Sequence, residues 1–181
     1  MAAIDINTAF LASGRLAYGC TDLATAFPHG GTALGLVGNI YVFAQAESKA
    51  MLAEETNAAS EVLWLGGDVT VSGTLNGWDN DALAFFNPNS SVVSGATVVE
   101  WPGSDVVPGA PVATYANFVF SPRNTDHPGV VLDLVAPVPE VNARLALSAY
   151  RFAEFPFVVV GLPHATTGRV GRMGKFSALV L

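Results

Sequence analysis

The sequence predicts a mainly β domain, a sandwich or a barrel, carrying one short flanking helix over about residues 79–87. Three observations predict it. Eighteen glycines and eleven prolines break the 181 residues into short apolar runs, the punctuation of an all-β chain. Residues 69–75, Val-Thr-Val-Ser-Gly-Thr-Leu, alternate apolar side chains with small hydroxyls, the period of a strand with one buried face. Hydrophobic residues make up 51% of the chain against 13% charged, which supplies a core and excludes the disordered class. No linker, repeat or low-complexity tract interrupts the chain, so residues 1–181 read as a single domain. A chain of this size hides about 70% of its unfolded surface.

In chain order, residues 33–45 and 49–54 are the first strand candidates. Residues 62–65 and 69–75 follow, separated by Gly66-Gly67-Asp68, where a hairpin turn or a bulge is expected. Asn76-Gly77-Trp78 then turns the chain into the helix. Asp79 is its N-cap, because its carboxylate can accept from the orphan amides of the first turn, and Asp81 suits the positive end of the dipole. Asn87-Pro88 ends it, since a residue before proline avoids the helical region. Two turns are marginal alone, so Leu83 and Phe86 are expected to pack onto the sheet. Residues 114–120, 130–135, 144–151 and 157–160 are further strands. Residues 176–181 are expected to form a last apolar strand tied into a sheet.

Mean hydropathy is +0.43, which invites a membrane reading. Residues 23–46 carry no formal charge and are long enough to span a bilayer. Pro28-His29-Gly30-Gly31 breaks that run as a turn, and residues 106–122 contain three prolines. The start of the chain lacks the basic segment of a signal peptide. A soluble protein is expected, with its excess apolar surface covered by further copies of itself. Charge is unevenly placed: residues 1–140 hold three basic and fourteen acidic residues, −11, whereas Arg144, Arg151, Arg169, Arg172 and Lys175 face Glu154 alone after that, +4. Solvated strand and loop faces account for this, and so does head-to-tail contact between copies, acidic edge against basic edge.

Chemistry-bearing residues are sparse. His29, His127 and His164 all adjoin proline, which marks them as turn residues. No pair has helical metal-site spacing, and Cys20 has no partner for a disulfide or a zinc knuckle. Asp126-His127 has no serine in a nucleophile elbow to orient. The glycine-rich stretch from Gly30 to Gly35 lacks the lysine of a phosphate loop and opens a strand. Cys20 reads as a small buried hydrophobe. Asn89-Ser90-Ser91 matches a glycosylation sequon without a secretory signal. Trp64, Trp78 and Trp101 offer a carbohydrate platform only if exposed, and core or interface roles suit the first two better. No catalytic residue, cofactor or metal is expected.

Three stretches carry a resemblance. Gly-Cys-Thr-Asp-Leu at 19–23, followed by Pro-His-Gly-Gly-Thr-Ala-Leu-Gly at 28–35, resembles the opening of virion structural proteins of tailed bacteriophages. Val-Ser-Gly-Thr-Leu-Asn-Gly-Trp-Asp-Asn-Asp-Ala-Leu at 71–83 is similar to the strand-to-helix passage of the tail tube proteins of long-tailed phages. Gly-Arg-Val-Gly-Arg-Met-Gly-Lys at 168–175, before a last strand, fits the same pattern.

The resemblance implies a β-sandwich with one flanking helix, homohexameric rings, and rings stacked into a tube through which the genome passes without specific binding. It implies a virion location after assembly in the host cytoplasm. The partners implied are further copies and other tail proteins (tape measure, terminator, distal tail). It also implies an extended hairpin lining the channel, for which residues 38–45 and 49–54, joined by Ala46-Glu47-Ser48, are the candidates. Glu47, Lys49, Glu54 and Glu55 would then face the lumen, and Arg144, Arg151, Arg169, Arg172 and Lys175 are candidates for contacts between stacked rings. Another tail, head-completion or decoration protein, or a glycan-binding β-sandwich, would show similar composition.

Overall fold

The computed structural model describes residues 13–52, 59–87, 91–93, 98–100, 112–138 and 154–181. Nine strands are among them: β1 (Gly14–Tyr18), β2 (Thr32–Leu52), β3 (Ala59–Gly77), β4 (Ser91–Val93), β5 (Val98–Glu100), β6 (Tyr115–Pro122), β7 (Pro128–Val138), β8 (Phe155–Leu162) and β9 (Gly171–Lys175). Strands β1-β2-β3-β8-β7-β6 are hydrogen-bonded in that order, and β6 pairs back onto β1, closing an antiparallel six-stranded barrel. Closure removes the free edges that an open sheet would carry. Strand β9 adds to β7 beside the barrel, and β4 and β5 form a separate two-stranded sheet.

Alternation sets what faces inward. Leu16, Leu34, Val71, Leu75, Phe118, Phe120, Val130, Leu132, Phe157 and Val159 fill the barrel from successive strands. The clean alternation of residues 69–75 therefore continues as a core-facing row, Val71 and Leu75 buried and Thr70, Ser72 and Thr74 on the other face. Gly66-Gly67 marks a bulge rather than a turn: Glu47 pairs with Gly66 and Ser48 with Trp64, leaving Leu65 as the extra residue. At Gly35 the backbone has φ +132°, and a Cβ there would meet the Gly77 carbonyl, so β2 passes the end of β3 too closely for a side chain.

Helix α1 (Asn80–Phe86) closes one end of the barrel. Asp79 caps it as expected, its Oδ1 accepting from the Ala82 amide at 3.1 Å. Asn87 ends it, donating from its backbone N and its Nδ2 to the Leu83 carbonyl at 3.2 and 2.6 Å. The buried face is Ala82, Phe85 and Phe86, with Leu83 only half-buried. Phe85 sits against Tyr18, Tyr115 and Phe118, and Phe86 against Phe155 and Phe157. A second cluster lies outside the barrel wall, where Ala17, Cys20, Val119 and Val131 are covered by Phe27, Phe176, Leu179 and Leu181.

Two expectations are corrected. Residues 46–48 do not turn the chain. They lie inside β2, opposite Gly67, Gly66 and Trp64, because nothing in Ala-Glu-Ser forces a turn; the long hairpin pairs β2 with β3 instead. Residues 176–181 are not a strand. Phe176–Ala178 is a 3-10 turn whose amides bond back to the carbonyls of His127 and Thr125, so the end of the chain packs as a lid rather than a ladder. The predicted strand at 144–151 lies outside the described residues.

Candidate assembly interface

The β2–β3 hairpin outgrows the barrel. Strand β1 supports β2 only from Thr32 to Val37, and β8 supports β3 only from Val69 to Leu75. Beyond Gln45↔Asp68, the pairs from Ala46↔Gly67 to Leu52↔Ala59 have no third strand among the described residues. Seven residues of β2 extend this two-stranded ribbon by roughly 24 Å. Such a ribbon is marginal by itself in water, and both its edges offer unpaired N–H and C=O groups to further strands. Glu47 lies in it opposite Gly66 and Lys49 opposite Leu63. Glu54 and Glu55 lie outside the described residues.

The root of the ribbon is bare on both faces. Tyr41, Val42 and Phe43 are 66%, 36% and 62% exposed, and Ala44 is exposed beside them. Alternation sends Val42 and Ala44 toward the barrel interior and Tyr41 and Phe43 outward. Outward, the register aligns two rows across four strands: Tyr41, Ser72, Val158, Val138, and Phe43, Thr70, Val160, Ala136. None of the eight is buried and none is charged. Four consecutive exposed apolar residues are a fault in a monomer and a signature of an interface.

Strand β9 borders the other side of the open barrel end. Asp133, buried at the point where β7 passes from β9 to β8, accepts from Arg169 Nε at 2.6 Å and from Arg172 Nη2 at 2.9 Å. Lys175 pairs with exposed Asp126 at 2.8 Å, and the hydrogen bond from this ammonium, with its charge, holds the Asp126 carboxyl below its ordinary range. The structure thus gathers Arg169, Arg172 and Lys175 on one strand and its entry loop, each tied to a carboxylate. Arg144 and Arg151 lie outside the described residues.

The histidines are turn residues. His29 Nδ1 donates to the Thr25 carbonyl at 2.9 Å, and His164 Nδ1 accepts from the Thr166 amide at 3.3 Å. His29 is buried between Phe27 and Phe176, its Nε2 without a partner among the described residues. Burial pushes the Cys20 thiol up to about 11, so it stays protonated and unreactive at neutral pH. Trp78 is half-buried and packs on Phe155. Among the described residues no group of three His, Cys, Asp or Glu side chains is placed to hold a metal ion.

Comparison with models of known protein families gives no match, and comparison with curated proteins gives none. Sequence reasoning missed Asp133, Met173 and the bare root. The root did carry a signal: Tyr-Val-Phe-Ala breaks alternation, and a strand apolar on both faces is covered twice or open twice.

Proposed function

We propose that this chain is the repeating subunit of a DNA-conducting tube, of the kind that long-tailed bacteriophages build from stacked rings of one protein. The observation that carries the reading is the ribbon, a hairpin that leaves a closed barrel with neither edge paired among the described residues. Its two edges differ, one being β2 and the other β3, and β2 of one copy pairing with β3 of the next is a head-to-tail contact. Head-to-tail contacts close into a ring when the rotation allows. The uncharged outer rows at the ribbon root supply the apolar contact that permanent assemblies use. Between positions 46 and 67 the chain carries Glu47, Glu54, Glu55 and Glu61 against Lys49. Glutamates facing a channel repel a duplex over about 8 Å at physiological salt, whereas lysines would hold it by releasing counterions.

Negative-stain microscopy of the purified chain tests the reading, with rings or tubes expected. A triple Glu→Lys change at 47, 54 and 55 is expected to leave tubes intact and make them bind free DNA ends in a salt-sensitive way. A monodisperse monomer at micromolar concentration would refute the proposal.

A further inference from the structure

The barrel wall is split at the end opposite α1. Strand β8 stops at Leu162, having been paired with β3 up to Val69 and with β7 up to Leu134. Past that point β3 continues into the ribbon, while β7 takes β9 in the place where β8 would have continued. Because β6 occupies the opposite edge of β7, the second edge of β9 looks across the split toward β3. Among the described residues that edge has no ladder partner. The floor of the split is a cavity of about 190 Å³ lined by Val42, Ala44 and Val69 on one side and by Leu132 and Met173 on the other. Met173 pairs with core residue Val130, so it lies on the inward face, yet it is 66% exposed. An inward-facing apolar side chain left open to water means that the wall lacks a piece there.

We propose that an extended segment of a second copy of this chain completes the wall, adding as a strand to the free edge of β9 and seating apolar side chains over Met173, Val42 and Ala44. This is strand addition, in which backbone bonds supply affinity and alternate side chains fill a floor. A second copy is the occupant that the charges favour. On β9 and its entry loop three cations, Arg169, Arg172 and Lys175, face two paired carboxylates, Asp133 and Asp126, whereas the rest of residues 1–140 of every copy holds three basic and twelve acidic residues, −9. The split is also continuous with the bare ribbon root, since Val42 and Ala44 share that strand with Tyr41 and Phe43. The inference rests on the ring reading and names a second contact within it.

The test uses the full chain, followed by sedimentation velocity across a concentration series. Met173→Lys places a charge over the apolar floor at an exposed position. It is expected to raise the midpoint concentration of assembly at least tenfold, with circular dichroism of the dilute chain unchanged. Val180→Lys, at a residue equally open (65%) but away from the split, is expected to change it less than twofold. Hydrogen exchange is expected to show the amides on the free edge of β9, those of Gly171, Met173 and Lys175, becoming protected as assembly proceeds, whereas the amides of Arg172 and Gly174 face β7 and are protected throughout. If Met173→Lys assembles like the parent into intact rings, strand addition at β9 is wrong while the ring reading stands. Protection of the free-edge amides at every concentration would mean that the chain's own residues fill the split, which also overturns the proposal. A parent chain that stays monomeric refutes both readings together.

Discussion

Replacing Asp133 with alanine tests how β9 is held beside the open barrel end. The carboxylate is buried and accepts one guanidinium bond on each oxygen, from Arg169 at 2.6 Å and Arg172 at 2.9 Å. A hydrogen bond to a charged group contributes about 1.5–3 kcal/mol. Arg169 is 42% exposed, so water takes back much of its share. Arg172 is mostly buried, and its Nε already lacks a partner among the described residues; removing its carboxylate strands a charge in a poorly solvated place. Together these give a loss of roughly 3–4 kcal/mol, equivalent to a fall in Tm of roughly 10 °C for a chain this long. Asp133→Asn keeps the shape and one acceptor and should lose about half as much. Urea denaturation followed by circular dichroism, at one fixed protein concentration because mass action makes the stability of any associating chain depend on it, measures both. The double change Asp133→Leu with Arg172→Met should return to within about 1 kcal/mol of the parent, since an apolar pair of similar volume replaces a buried ion pair at little cost. A loss below about 1 kcal/mol for Asp133→Ala would refute the argument that this carboxylate anchors β9.

Three other changes follow from the same structure. Asp79→Ala should cost about 1 kcal/mol in chemical denaturation and Asp79→Asn much less, because the amide oxygen still caps the Ala82 amide; equal losses would show that charge, not capping, matters. Phe85→Ala empties the aromatic cluster of Tyr18, Tyr115 and Phe118 that closes the barrel end and should cost about 3–5 kcal/mol in the same assay. The thiol of Cys20 moves from 9.0 in the unfolded chain to about 11 in the fold, so its contribution is complete below pH 9 and is lost as pH rises through 11. That loss is about 3 kcal/mol, and Cys20→Ser should flatten the stability profile between those values by that amount.

Much of the local structure is legible in the chain. Alternation at residues 69–75 marks a strand with one buried face, and Asp79 with Asn87 brackets a seven-residue helix to within a residue of its true ends, because capping acts over a few bonds. The glycines at 66 and 67 announce a backbone irregularity for the same reason. Local chemistry does not choose partners, however. Whether Ala46-Glu47-Ser48 turns or runs on depends on whether β3 lies alongside with its own register, which is a property of residues 59–77 and not of residues 46–48. The final apolar residues satisfy a strand pattern equally well, yet the carbonyls of Thr125 and His127 and the cluster of Cys20, Val119 and Val131 draw them into a turn.

The candidate interface divides in the same way. Composition, 51% hydrophobic against 13% charged, already shows that apolar residues are in excess of charged ones, since that count is independent of the fold. Which inward surface is left open is decided by barrel closure: β8 ends at Leu162, β9 takes its place on β7, and Val42, Ala44 and Met173 lose the neighbours that would have covered them. Asp133 is the clearest case. In sequence it is one acid in an apolar run, and only the pairing of β7 with β9 brings Arg169 and Arg172, 36 and 39 residues away, onto its two oxygens. Period and propensity are read within a few residues, whereas burial and charge pairing are set by contacts between distant segments, and those exist only once the barrel has closed.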